Sequence, residues 1–547
     1  MLAVIPVFGV NHKLKLAALS GPKKDCVRFR RPFESRISPN SFIVTIVLLV
    51  LCCFTASARD FYASPSGKPG ATGSLNNPWD LQTALSQTQR VRPGDTVLLR
   101  GGTYNGAATN GFNCTLAGNS AAPIVVRNYP GERAIIDRGG TDPTQQAALD
   151  LLAPYVTLWG LEIMNSYPDR NRISPYTGTV HGWRGPGIYV SPGATDCKII
   201  NCIIHDNNSG IYDKEDRTEI YGNLIYYNGN NAFAHGIYIG NDHDTKYVVD
   251  NLIFDNAGLG IQSYSANNKS QQKGIYIEGN ACFNNGAITL DDQNSTNILV
   301  GAETGVAAER VTVISNYIYD PQGTAPNKSK GLRLGQVDQN NKDAVIRDNY
   351  IACKVPLTVQ WWNHIEMRRN TIYTPMTSVS LKMPAGVTTT TYDWDKNTYI
   401  NGRNGEPVFS VDSTSGLTLS SWRQRTMLDQ NSHIIRDSAL RPKGVQVFVR
   451  PNKYELGRGQ IIVFNWDLAG SVTVDLINVC LDLGDAYEVR DAQNYFGAPI
   501  ARGIYDGKTI KLPMRLSQVA NPIGSVERLP VHTAPEFAAF IVQKRKP

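Results

Sequence analysis

Between residues 187 and 400 the chain alternates apolar and polar positions in bursts of three or four, each closed by Gly, Asn or Asp. One burst opens on a Gly-Ile-x triplet: Gly187-Ile188-Tyr189, Gly210-Ile211-Tyr212, Gly236-Ile237-Tyr238 and Gly260-Ile261-Gln262, at intervals of 23, 26 and 24 residues. Gly331-Leu332-Arg333 is a later relative. A second burst follows an asparagine, at Asn201, Asn223, Asn251, Asn280, Asn316, Asn349 and Asn370. Five residues beyond the first four of these stand Asp206, Asn228, Asn256 and Asn285. Period-two alternation over such short stretches predicts strands, and the Asn, Asp and Gly between them predict turns. A unit of roughly 22 to 30 residues with two or three short strands cannot bury its apolar face alone, so it predicts one coil of a solenoid. Ile and Val then point inward on rungs ~4.8 Å apart. The asparagines predict a ladder of amides bonded from coil to coil, a structural role with no catalytic part.

From about residue 383 the repeat fades. Ser420 or Ser421 is expected to cap a helix running through Leu428 and carrying Trp422 and Arg425. Residues 445–449, 460–466 and 471–476 alternate again, Gly484-Asp485 and Asp506-Gly507 mark turns, and 537–542 is a last strand. Short strands with regular turns predict a small antiparallel sandwich. The division expected is a targeting segment at 1–58, an all-β solenoid at 59–400, a linker with a short helix at 401–440 and a C-terminal β domain at 441–547.

The segment 1–58 carries eight basic and two acidic residues, an apolar run at 42–54 and the small-x-small triplet Ala56-Ser57-Ala58. That order predicts a secretory signal, or a membrane anchor if the run is retained. About 13 apolar residues fall short of the ~18–20 that span a bilayer. The whole chain carries a net charge of +7, of which this segment holds +6. The remainder has no basic surplus, which argues against a nucleic-acid partner. Its six cysteines, Cys114, Cys197, Cys202, Cys282, Cys353 and Cys480, have no metal-site spacing and are expected as small buried side chains, with one disulfide, of no assigned pairing, as the alternative in an oxidising compartment.

The repeats resemble the right-handed parallel β-helix proteins of the pectin-lyase-like superfamily, which includes pectate lyases, polygalacturonases and alginate-processing enzymes. The stretch from Phe61-Tyr62-Ala63 through Trp79-Asp80-Leu81 to Val91-Arg92-Pro93-Gly94-Asp95 is similar to that family's entry region. The resemblance implies a first strand, a short capping helix over the open end and a first coil. It also implies a secreted carbohydrate-active protein, a lyase or a glycosidase on a uronic-acid-containing polysaccharide, acting as a monomer. The alternative is a non-catalytic, wall-binding β-helix. The polygalacturonase triplets and the pectate-lyase Arg-x-Pro-x-x-Arg are missing. Tyr212-Asp213-Lys214-Glu215-Asp216 with His235-Gly236-Ile237 resembles the Asp-His site of alginate epimerases, with Lys214 or Glu215 in place of the first histidine.

Candidate chemistry follows from counting along the repeat. Two residues past the repeat glycine stand Tyr212 and Tyr238, at plus six Asp216 and Asp242, at plus seven Arg217 and His243. Elimination from a uronate needs a base, for which Lys214, Arg217 and His243 are candidates, and an acid, for which Tyr238 is one. His235 is a further catalytic candidate. Asp216 and Asp242, stacked on adjacent coils, suit Ca²⁺ or the carboxylate pair of a glycosidase, so the cofactor is none or Ca²⁺. Asp213, Glu215, Tyr212, Lys246, Trp361 and Trp362 are candidate substrate contacts, one of the two indoles facing outward as a sugar platform.

Overall fold

The computed structural model describes residues 58–545, apart from 140–145, 174–179, 183, 266–270, 291–295, 304, 321–329, 338–339, 402–407 and 436–440. The leader up to residue 57, with its apolar run, lies outside the described residues. No helix among the described residues is long and apolar enough to cross a membrane.

Short strands stack into three sheets of 12 strands each. One coil supplies one strand to each sheet, as Lys198–Ile200, Ile203–His205 and Ile211–Asp213 do for the first, second and third. Pairing between coils is parallel, and like residues fall on like. In the third sheet Ile188, Ile211, Ile237, Ile261 and Ile298 register one above the next, all fully buried. The period-two pattern thus becomes columns of Ile and Val inside the solenoid.

The asparagine ladders form as the repeat predicts. Asn223, Asn251, Asn280, Asn316, Asn349, Asn370 and Asn397 each donate to, or accept from, the next side-chain amide at 2.9–3.0 Å. A second ladder runs through Asn207, Asn228, Asn256, Asn285 and Asn297. Register corrects the first positions. Asn201 turns away to Asn452 and Glu455, and Asn207, not Asp206, starts the second ladder. Replacing Asn251 by Ala strands the two donors of Asn223 and removes the amide donor to the Ile220 carbonyl in the interior. The expected cost is about 1–3 kcal/mol, read from the shift in urea midpoint.

Both ends are capped. The helix Leu81–Ser86, capped by Asp80, buries Leu81, Ala84 and Leu85 over the first coils. At the other end Thr418, rather than Ser420 or Ser421, caps the helix Leu419–Thr426, because its hydroxyl accepts from the Ser421 N–H. Trp422 of that helix stacks on Phe409, 5.1 Å between ring centres. The strands Val408–Val411 and His433–Ile435 still pair with solenoid strands. The stretch expected as a linker therefore contributes rungs. Cys114, Cys197, Cys202, Cys282 and Cys353 are buried, whereas Cys480 is only half-buried.

The C-terminal part holds a five-stranded antiparallel sheet ordered Val445–Pro451, Gly459–Asn465, Phe537–Lys544, Ala486–Asp491 and Ala501–Ile504. A two-stranded sheet, Ser471–Val474 with Ile510–Pro513, covers one face. Alternation along Gly459–Asn465 serves two cores: Ile461 and Val463 face the small sheet, while Ile462 and Phe464 face the solenoid. Their solenoid partners are a column of outward aromatics on the second sheet, Tyr226, Phe254, Phe283 and Tyr319, with Phe254 and Phe283 stacked at 4.7 Å.

Candidate functional site

The outward face of the third sheet is left open and forms a groove of about 820 Å³. Its floor is one residue per rung, in the order Asp150, Tyr189, Tyr212, Tyr238, Gln262 and Leu299. Neighbouring tyrosine rings lie 5.2 and 5.0 Å apart. Ser209 and His235, each just before its repeat glycine, line one wall, and Tyr264 and Glu303 line the other. Burial raises the pKa of all three floor tyrosines, so they are neutral phenols at working pH.

Lys214 lies two residues beyond Tyr212, on the row where the next coil has Gly240. No side chain blocks it there. Its stem runs over Tyr238, with Nζ 3.9 Å from the ring centre. Nζ donates to the carbonyls of Tyr264 and Ile239. Burial, reinforced by the Lys246 charge, pulls its pKa down to about 7. A neutral amine has two N–H bonds and one lone pair. The two carbonyls take the N–H bonds and leave the lone pair unengaged.

His235 is fixed as a donor. Its Nδ1 accepts the Leu259 N–H at 3.1 Å. Because a backbone N–H only donates, the ring proton sits on Nε2, which meets the Gln262 side chain. Burial, with Lys214 nearby, drops its pKa to about 3, so it stays neutral and offers an N–H rather than a base.

The remaining sequence candidates divide. Asp216 meets Asp242 and His243 of the next coil, while Arg217 meets Asp196 and Asp244, on the turn beyond the third sheet and not on the groove floor. Asp216 accepts from the N–H of Asp242 and His243 and from the His243 ring at 2.8 Å. Burial raises its pKa, but those donors outweigh it and hold the carboxyl low. Asp242 accepts from the Gln271 N–H. Two carboxylates already facing N–H donors do not fit Ca²⁺, and among the described residues no group of three or more His, Cys, Asp or Glu is arranged for a metal ion. Arg217 makes two bonds to Asp196 at 2.9 and 2.7 Å, which raise its pKa further and remove it as a base. Asp213 and Lys246 are fully buried and paired at 2.6 Å, because alternation from Ile211 turns Asp213 inward. Neither reaches a substrate. Glu215 accepts from the Gly193 N–H at 2.8 Å. Trp362 is in the solenoid core. Trp361 sits on a left-handed turn with Lys382 over its ring, on a rung past the groove.

Sequence reasoning missed Asp150, Tyr189, Gln262 and Tyr264 on the groove. A buried charge cluster on the second sheet centres on His205 and Asp206. Asp206 binds Arg170, His205 Nδ1 at 2.7 Å and the Ile523 N–H at 2.9 Å. His205 Nε2 meets Glu162 at 3.1 Å, and the ring stacks on Tyr226. Burial opposes the charge, but Asp206 and Glu162 outweigh it and lift the imidazole to about 9, above its ordinary 6.5. The stabilisation is therefore complete below pH 6.5 and is lost as pH rises through about 9. Melting temperature is expected to fall over that interval, and His205→Gln is expected to flatten the fall.

Two family models match the chain: "Pel9A-like, right handed beta helix region" over residues 61–225, and "Right handed beta helix region" over 170–304. The pectate lyase PEL9 of Emericella nidulans is 35% identical over 120 residues, which cover 20% of this chain and 28% of that protein. The match thus spans under a third of that relative's length. Among solved structures, the pectate lyase Pel9A is 17% identical, covers 71% of this chain and 82% of its own, and gives a TM-score of 0.39. The GH136 lacto-N-biosidase of Eubacterium ramulus is 15% identical, with 69% and 67% covered and a TM-score of 0.43. The chain is a right-handed parallel β-helix, similar over residues 61–225 to the Pel9A-like region.

Proposed function

We propose that this chain is a secreted polysaccharide lyase that cleaves a uronic-acid-containing polymer laid along the third-sheet groove, with Lys214 as base. The carrying observation is the Lys214 amine at a pKa of about 7, with its N–H bonds held by two carbonyls above the tyrosine floor. Lys214 takes the C5 proton of the uronate. The electrons expel the C4 oxygen, and the Tyr238 phenol protonates that oxygen as it leaves. The Gln262 amide N–H, its oxygen held by the His235 N–H, can hold the sugar carboxylate during the step. The matched pectate lyase fits this reading.

Hydrolysis is less well served. It needs two carboxylates ~5–5.5 or ~6.5–9.5 Å apart. The groove-lining carboxylates are Asp150 and Glu303. Five rungs separate their strands, ~24 Å at ~4.8 Å per rung. Digestion in heavy-oxygen water separates the two chemistries by mass. Elimination leaves no solvent oxygen in the products, while one solvent oxygen per cut would replace this reading with hydrolysis.

A further inference from the structure

The floor of the groove changes character along its length. At one end Asp150 accepts, among the described residues, only from Ser191 Oγ, at 2.6 Å, and burial raises its pKa. No cation pairs with it among the described residues. At the other end Arg333 stands one rung beyond Leu299 on the same outward row. Lys330 is three residues earlier on the same strand, Lys330–Leu334. Burial lowers the pKa of both, and the Arg333 charge lowers that of Lys330 further. Arg333 donates to the Gln336 carbonyl at 3.4 Å, while its buried Nε has no partner among the described residues. Neither cation is in an ion pair among the described residues. Glu303 faces this end from the second wall. Two adjacent half-buried cations oppose one another unless an anion joins them. Asp150 and Arg333 are six rungs apart, ~29 Å at ~4.8 Å per rung. Only uncharged tyrosines, Gln262 and Leu299 lie between them on the floor.

We propose that the groove holds its polymer in one direction, with a uronate carboxylate between Lys330 and Arg333 and an uncharged sugar against Asp150, so that its substrate mixes uronate with neutral sugars. A homopolyuronate would place a carboxylate against Asp150 and others over neutral rings. The polymer's place in this groove rests on the function proposed above; the charge polarity does not depend on the elimination step.

The test is calorimetric titration of Lys214→Met protein with two octasaccharides, one of uronates ending in neutral sugars on one side and one all uronate. The mixed one should bind at least tenfold tighter. Lys330→Ala with Arg333→Ala should erase that advantage, and Asp150→Asn should narrow it by improving binding of the all-uronate chain. Equal affinities, the reverse order, no binding by either, or variants that change nothing overturn the proposal. If the preference holds but the unsubstituted enzyme yields no unsaturated product from either sugar, the elimination reading fails and the directional groove stands.

Discussion

Lys214→Met is expected to lower the rate of elimination by about 10²–10⁴, the share a positioned base contributes. The substitution keeps the stem over Tyr238 and removes only the amine, so the groove floor should stay intact. Lys214→Arg separates base from counter-ion. A guanidinium keeps the positive charge but has no lone pair at working pH. If Lys214 merely neutralised a substrate carboxylate, arginine would retain most of the activity. If it takes the proton, arginine is as inactive as methionine. The pH profile adds a sign. The neutral amine is the active form, so kcat/KM should rise with pH and level off above about 7, the value to which burial brings this lysine. A lysine at its ordinary pKa would keep rising for several pH units more.

The second large effect is on stability. Asp206→Ala removes the anion shared by Arg170, Arg184 and His205, all buried. It leaves their charges uncompensated, an expected loss of about 3–5 kcal/mol. It also removes the acceptor of the Ile523 N–H, and with it one tie between the C-terminal segment and the solenoid. Arg170 and Arg184 donate to the Ile523 carbonyl at 2.8 and 2.9 Å and supply the others. Denaturant unfolding measures the loss, and limited proteolysis near residue 523 reports the release. An unchanged midpoint would mean that the cluster is not a structural tie.

The solenoid was legible because its rule is short: Gly-Ile-x, Asn-x-Ile and alternation fix which residues stack. The ladders follow from the same rule, with Asn201 and Asp206 misplaced because register, not spacing alone, decides which amide meets which. The groove was half legible. Counting two past the repeat glycine found Tyr212 and Tyr238, and the same count reaches Tyr189, Gln262 and Arg333, which stand in the quoted triplets. Asp150 and Leu299 have no Gly-Ile triplet to mark them. Alternation already placed Asp213 on the opposite face from Tyr212, so the two could not both meet a substrate. What spacing could not give is solvation. Nothing in the local sequence separates Lys214, stripped of water over an aromatic ring, from Arg217, tied to Asp196 three residues on. The aromatics after each Asn-x-Ile, Tyr226, Phe254 and Tyr319 among them, were likewise readable as a column, but their purpose appears only once the C-terminal sheet covers them.

The most direct test is to follow purified protein with uronic-acid-containing and neutral polysaccharides, in Ca²⁺ and in EDTA, by ultraviolet absorbance of unsaturated uronate and by reducing ends in parallel. The account predicts that both signals rise together on a uronic-acid-containing polymer and that both vanish in Lys214→Met. Reducing ends without the chromophore, or both signals undiminished in Lys214→Met, would contradict it.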